Sequence, residues 1–145
     1  MTISVIIPTH NPKYLSDTLH GLFIQENKDF DVTVCENPTI TEEVEKTCSN
    51  FSAVLDITLI NSNIGANNAR NTGVYLSSGD IIALLDDDCI PSKTWIDEIY
   101  KTFEDKTVSC VGGRVNLHKI SHITALQAQY LTKIDWGHTE THRQL

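Results

Sequence analysis

Gly79-Asp80-Ile81-Ile82-Ala83-Leu84-Leu85-Asp86-Asp87-Asp88 decides how this chain folds. Its five consecutive apolar residues read as a short strand buried on both faces, and the run stops abruptly at three carboxylates. Such a strand belongs to a mainly parallel sheet covered by helices. The amino terminus repeats the pattern, because Ile3-Ser4-Val5-Ile6-Ile7 is β-branched, almost wholly apolar and closed by Pro8.

Between these two runs the pattern alternates. Asn11 and Pro12 predict the cap and first residue of a helix carrying Leu15, Leu19, Leu22 and Phe23. Phe30 to Cys35 predicts a strand, and Thr39 with Glu42 predicts a capping box for a helix with Val44, Cys48 and Phe51 on one face. Leu55 to Ile60 predicts a third strand. Gly65 to Leu76 predicts a helix whose Ala69, Thr72, Gly73 and Leu76 share a face, small enough to approach a sheet closely. Beyond the acidic triplet, Trp95, Ile96, Ile99 and Phe103 mark a fourth helix, opened by Pro91 and a Ser92 or Thr94 cap. Val108 to Val111 predicts a fifth strand and Ser121 to Ile134 a last helix. Strict alternation implies right-handed crossovers and helices on both faces.

The chain has 145 residues, enough for one domain with a real core. Its 19 acids against 11 Lys and Arg give a net charge of −8, which excludes a nucleic-acid backbone as the main partner and argues against an anionic membrane surface. An apolar content of 40% with 21% charged residues is that of a folded soluble protein. Cys35, Cys48, Cys89 and Cys110 form no C-x-x-C pair and read as free thiols of a reducing compartment. No run approaches the roughly 20 apolar residues of a membrane span, and residues 1–8 lack the features of a signal peptide. The expected location is cytoplasmic, with any membrane contact peripheral and at the inner face.

Parallel sheets bind ligands beyond the carboxyl ends of their strands, where the strand order reverses. With the two most apolar runs as neighbours, Pro8-Thr9-His10 and Asp86-Asp87-Asp88 face one crevice. The stretch from Asp80 to Asp105 holds eight of the 19 acids against Lys93 and Lys101 alone. Such crowding favours a hard divalent cation, Mg²⁺, Mn²⁺ or Ca²⁺. In an extended segment Asp86 and Asp88 would point one way and Asp87 the other. The bland alternative is an acidic loop capping the next helix; the position after a buried strand favours the site. A P-loop and a dinucleotide fingerprint are absent. The acids of a receiver domain or a haloacid dehalogenase are also missing, since Pro8-Thr9-His10 follows the first strand and Asn61-Ser62-Asn63 the third.

Three segments carry a resemblance. Ser4-Val5-Ile6-Ile7-Pro8-Thr9-His10-Asn11, Asn63-Ile64-Gly65 through Ala69-Arg70-Asn71-Thr72-Gly73, and Gly79-Asp80 through Asp88 resemble, in order and spacing, the opening strand, the N-x-G and A-R-N-x-G segment and the D-x-D strand of glycosyltransferase family 2. The resemblance covers residues 3 to about 115 and implies a Rossmann-like GT-A sandwich. It implies an inverting transfer from a nucleotide-sugar donor, usually a UDP-sugar, to a saccharide, lipid or protein acceptor, of the kind used in polysaccharide biosynthesis. It further implies a divalent metal, Mn²⁺ or Mg²⁺, on the leaving diphosphate. By the same resemblance Pro8, Thr9 and His10 line the nucleotide, Arg70 contacts it or its phosphates, Asp86 holds the ribose or donor sugar, and Asp88 holds the metal. Asp87 is the variable middle acid of the donor site. Glu36 stands where the family usually has a base-contacting aspartate, one methylene shorter.

Residues 1–115 therefore read as the donor-binding core and 116–145 as the start of an acceptor-side region or a truncated tail. The family's general base lies in an acidic motif beyond the D-x-D strand, and after Asp105 only Asp135 and Glu140 carry carboxylates, neither in a recognisable context. The expectation is a donor-binding fragment that lacks the acceptor half. The alternatives are a naturally short, non-catalytic or regulatory nucleotide-sugar-binding module and, further off, a sugar-phosphate nucleotidyltransferase, whose glycine-rich basic loop after strand one is missing. His118/His122 and His138/His142 have the i, i+4 spacing of zinc pairs without a third ligand and read as solvated helix faces. Trp95 reads as core; Trp136 is unassigned.

Overall fold

Seven buried residues in a row make the first strand, β1 (Ile3–Thr9). The computed structural model describes residues 1–10 and 12–116. Three further strands, β2 (Phe30–Glu36), β3 (Ile57–Asn61) and β4 (Ile81–Leu84), join β1 in one sheet of order β3-β2-β1-β4. All pairings are parallel: Ile3 lies opposite Phe30 on one side and Ile81 on the other, and Val32 lies opposite Ile57. The chain builds outward from β1 to β3, then returns to lay β4 on the free side of β1. The order therefore reverses between β1 and β4, so the two most apolar runs are neighbours.

Pro8 does not close the strand, which continues to Thr9. The reason is local. The Ile6 carbonyl accepts from Leu85 N at 3.0 Å, so residues two apart from Ile6 direct their backbone groups toward β4. The β4 pairing stops at Ile6–Leu84, and the missing N–H of Pro8 forfeits no ladder bond.

Four helices follow the alternation: α1 (Leu15–Phe23), α2 (Glu42–Phe51), α3 (Ala66–Leu76) and α4 (Trp95–Phe103). A 3₁₀ turn, Pro12–Tyr14, precedes α1, so the helix starts later than the Asn-Pro signal implied; Asn11 lies outside the described residues. Leu15, Leu19 and Leu22 are fully buried, whereas Phe23 is exposed at the edge of the stripe. The cap of α2 is Thr41, not Thr39: its hydroxyl accepts from Val44 N, and no capping box forms. On α3 the buried face narrows to Ala69 and Gly73, with Leu76 in solvent. A Cβ on Gly73 would lie 2.4 Å from Ile6 Cγ2 and 2.9 Å from Cys35 Sγ, so only glycine lets α3 sit this close to β1 and β2. Ile6, Cys35 and Ala69 form that core, flanked by Ile60 and Ile82. Ile3, Val5 and Ile7, of opposite parity, are buried on the other face, where Glu36 reaches the start of α2 and α1 packs on α2.

The buried Gln25 ties α1 to the start of α4. Its amide donates to Gly21 O and Ser92 O, and its carbonyl accepts from Ile96 N. Contacts divide the chain into two units, 1–98 and 99–145. In the second, α4 ends and Val108 N turns back to Asp105 O, while Asp105 Oδ1 accepts from Thr107 N and Oγ1. Residues 108–111 are thus not a strand: the turn consumes the segment's first backbone group, and no partner strand lies beside it among the described residues. The helix predicted from Ser121, the four histidines from His118 onward and Trp136 lie outside the described residues. Among the described residues no helix is long and apolar enough to cross a membrane.

Candidate functional site

The carboxyl ends of β1 and β4 meet at the reversal of strand order, the place where open α/β sheets bind ligands. Past Leu85 the chain does not stay extended. Cys89 N donates to Asp86 O at 3.1 Å, closing a turn over Asp86–Cys89. This turn brings ligand atoms of Asp86, Asp88 and Cys89 within 4.8 Å of one another. Asp87 goes the other way: its Oδ2 accepts from Thr9 Oγ1 at 2.5 Å and its backbone carbonyl from Thr18 Oγ1 at 2.8 Å. The separation expected for an extended chain is met, but a turn produces it. Arg70, one turn into α3, donates to Asp86 Oδ1 at 2.6 Å.

Charge shapes this corner. Burial pushes the Asp87 carboxyl above its ordinary value, Thr9 pulls it back, and the carboxylates of Asp88 and Asp86 push it further up. Burial, followed by the same carboxylates, pushes the Cys89 thiol up to about 11.

The ends of β2 and β3 are built differently. Glu36 is 1% exposed; its Oε2 accepts from Thr41 N at 2.6 Å and its Oε1 from Thr41 Oγ1 at 2.9 Å. The carboxylate therefore holds the cap of α2. Asn37 is also buried: its side chain donates to Thr9 O at 3.0 Å and accepts from Gly65 N at 3.1 Å. Gly65 has φ 109°, a backbone that an L side chain rarely adopts, and it opens the helix that carries Arg70. Ser62 Oγ donates to Glu36 O. His10, exposed at the tip of β1, lies with Nδ1 2.9 Å from Asn37 O.

Of the residues singled out in the sequence, the structure joins Thr9 with Asp87, Arg70 with Asp86, and Asp86 with Asp88. Pro8 lies buried between β2 and this corner, and His10 above the end of β2. Glu36 does not join them with a free carboxylate. Sequence reasoning missed Asn37 and Cys89. The only signal for Asn37 was its place directly after a strand that ends in an acid, and for Cys89 its adjacency to the triplet.

The sequence model of the family described as "Glycosyl transferase family 2" matches residues 4–135. The chain belongs to glycosyl transferase family 2. It is 33% identical over 118 residues to glycosyltransferase AglE of Haloferax volcanii, covering 78% of this chain and 39% of AglE. Among solved structures it resembles the mannosyltransferase PcManGT of Pyrobaculum calidifontis, determined with GDP-Man and Mn²⁺, with TM-score 0.65 and 24% identity over 77% of this chain and 35% of that one. It also resembles residues 1–349 of TarS from S. aureus, determined with UDP, with TM-score 0.61 and 22% identity over 81% and 38% of the two chains. The fold is thus that of GT-A glycosyltransferases, and the chain spans about two fifths of the length of AglE.

The donor set of this family 2 chain suits a hard divalent cation in part. Asp86 and Asp88 offer oxygens within reach of one another. The third group, the Cys89 thiol, is a soft ligand and suits Mg²⁺ or Mn²⁺ poorly. Arg70 already neutralises Asp86, which leaves Asp88 as the less compensated carboxylate.

Proposed function

We propose that this chain is the donor-binding part of a glycosyltransferase that takes a nucleotide sugar, UDP-linked by preference, and passes the sugar to a saccharide, lipid or protein acceptor with inversion. One observation carries the reading: the ends of β1 and β4 converge at the topological switch point, with Thr9 bonded to Asp87 and with Asp86 and Asp88 side by side. The name of AglE supports the transfer, and the GDP-Man, Mn²⁺ and UDP of the structural neighbours support a nucleotide-sugar donor and a divalent ion.

In this reading Pro8, Thr9 and His10 line the nucleotide, Asp86 and Asp87 shape the donor site, and Arg70 faces the phosphates. Asp88 would hold Mn²⁺ or Mg²⁺, and that ion would supply positive charge to the leaving diphosphate. The acceptor hydroxyl attacks the anomeric carbon from the opposite face as the sugar–phosphate bond breaks, and loses its proton to a general base. The free thiols among the described residues support a cytoplasmic location.

Calorimetric titration of UDP, GDP and their sugars, with and without Mn²⁺, tests this on the native chain and on Asp88→Ala. The expected result is Mn²⁺-dependent binding that Asp88→Ala weakens by about a hundredfold, in line with losing a metal ligand. Equal binding by the variant removes Asp88 as ligand. Release of free UDP from the sugar nucleotide separates a transferase from the second reading, a binding module, which binds without turnover.

A further inference from the structure

One face of α1 backs the acid turn. Thr18, Gly21 and Gln25 stand at i, i+3 and i+7 and so share that face. Each meets a different part of the chain between Asp87 and Ile96. Thr18 is fully buried, and its hydroxyl donates to the Asp87 carbonyl at 2.8 Å. Gly21 packs so closely that a Cβ there would lie 2.7 Å from Pro91 Cδ. Gln25 donates to Ser92 O and accepts from Ile96 N. The last two fix how the chain leaves the turn for α4, whereas the first acts on the turn itself.

Cys89 N donates to Asp86 O, so Asp87 and Asp88 are the two central residues of the turn and the Asp87 carbonyl belongs to the peptide between them. That peptide decides the form of a β-turn: rotated over, it converts type I into type II and requires positive φ at the second central residue. Asp88 does not have positive φ, since no non-glycine among the described residues does. Aspartate tolerates that conformation better than most side chains, so the triplet's own sequence leaves the second form within reach. The rotation would turn the Asp87 carbonyl away from Thr18 and re-aim Asp88, whose ligand atom now lies within 4.8 Å of that of Asp86. Thr9 grips the Asp87 side chain; Thr18 grips the peptide.

We propose that Thr18 is a positioning residue for the donor site: its hydroxyl locks the central peptide of the acid turn and thereby aims Asp88, with Asp86 beside it, at the cation that accompanies the donor diphosphate. The inference rests on the donor-binding reading above. Thr18 acts from a buried position on α1, through the backbone of Asp87.

The test compares side chains that separate the hydroxyl from the volume around it. Thr18→Val keeps the shape and removes the donor; Thr18→Ser keeps the donor. UDP is titrated calorimetrically into the 145-residue chain with and without Mn²⁺, and the quantity read is the gain in affinity that Mn²⁺ brings. Thr18→Val should lower that gain about tenfold, the usual consequence of releasing a group that stands behind a metal ligand, and Thr18→Ser should hold it within about twofold of native. Gln25→Met, which cuts the tie to α4 at the other end of the same helix, should lower the thermal midpoint at least as much as Thr18→Val yet keep the native Mn²⁺ gain. An unchanged gain in Thr18→Val overturns the proposal, as does a gain lost equally in Thr18→Ser. An equal loss in Gln25→Met reduces Thr18 to general support of the fold and overturns it too. Should Thr18→Val not fold, Thr18→Ala against Thr18→Ser asks the same question of the hydroxyl; should Gln25→Met not fold, the Thr18 variants decide alone. A native chain that does not bind UDP, or binds it without response to Mn²⁺, refutes the donor or the metal reading itself, a distinct result.

Discussion

Glu36 ends β2 and Asp86 to Asp88 follow β4 in the same layer of strand ends, yet the first carboxylate is buried with both oxygens bonded while Asp86 and Asp88 stand exposed and crowded. The difference lies in what the next residues supply. After β2 the chain offers Thr41, whose N–H and hydroxyl converge on one carboxylate and whose oxygen also caps α2. After β4 it offers more acids and a tight turn, so much of the repulsion is left standing; among the described residues Arg70 from α3 meets Asp86, the Thr9 hydroxyl meets Asp87, and the Cys89 thiol lies 3.7 Å from Asp88. A satisfied buried acid contributes to the fold. A crowded exposed cluster costs stability unless a cation joins it, and such unrelieved charge is what a binding site retains.

The sharpest way to break this contrast is to remove each acid and measure the fold. Glu36→Ala takes the acceptor from the Thr41 N–H and hydroxyl, loosens the residue that caps α2 and leaves a small void at a buried position, and should cost about 2 kcal/mol in urea denaturation. Asp88→Ala in the same assay should change stability by less than about 0.5 kcal/mol, or raise it slightly, because it relieves like-charge crowding at an exposed position. A comparable loss for both would erase the distinction between the two strand ends.

The Arg70–Asp86 pair sharpens the comparison from its electrostatic side. Both side chains are partly exposed, so despite the 2.6 Å contact the pair should contribute no more than about 1 kcal/mol. Arg70→Ala should therefore leave denaturation almost unchanged while weakening UDP binding by about tenfold at low salt, an effect that shrinks as salt is added. A variant that unfolds readily but binds normally would reassign Arg70 to the fold.

How far the sequence disclosed this site follows the same line. Ile3 to Ile7 was legible because a strand buried on both faces leaves a continuous apolar run; Ile81 to Leu85 reads the same way, yet β4 buries Ile81 and Ala83 and leaves Leu84 exposed, and the adjacency of the two runs set Pro8-Thr9-His10 and Asp86-Asp87-Asp88 on one crevice. Ala69 and Gly73 were legible as a close-packing face because small residues at helical spacing have few other uses. Buried polar side chains were not legible. Gln25, Glu36 and Asn37 take their partners from backbone groups or a threonine brought in by the fold, so nothing in their local spacing distinguishes them from surface residues. The Asp86–Cys89 turn was hidden for a different reason: aspartate favours the first position of a turn, but the apolar run leading into the triplet reads as continued strand, and the bend becomes visible only once β4 is seen to end at Leu84. Val108 to Val111 failed in the opposite direction, since β-branched residues favour a strand only where a neighbour exists to pair with.

Asp87 gives the smallest and most discriminating prediction, because it belongs to the exposed cluster yet points inward to Thr9. Burial, and then the charges of Asp88 and Asp86, hold its carboxyl above the ordinary 3.8 in spite of the Thr9 bond. A raised carboxyl binds its proton more readily in the folded than in the unfolded chain. The folded state is therefore penalised as pH rises above 3.8, fully so once the folded value is passed, and the penalty is absent below 3.8. Asp87→Asn keeps an oxygen to accept from Thr9 and removes the charge. It should melt slightly higher than the native chain at neutral pH, with the gap closing as the pH is lowered through 3.8, read by thermal denaturation across that range. Added Mn²⁺ should narrow the neutral-pH gap by compensating the same crowding in the native chain. A variant that melts lower at neutral pH would mean that the ionised Asp87 stabilises the fold through Thr9, as Glu36 does through Thr41, and that the two strand ends are built alike.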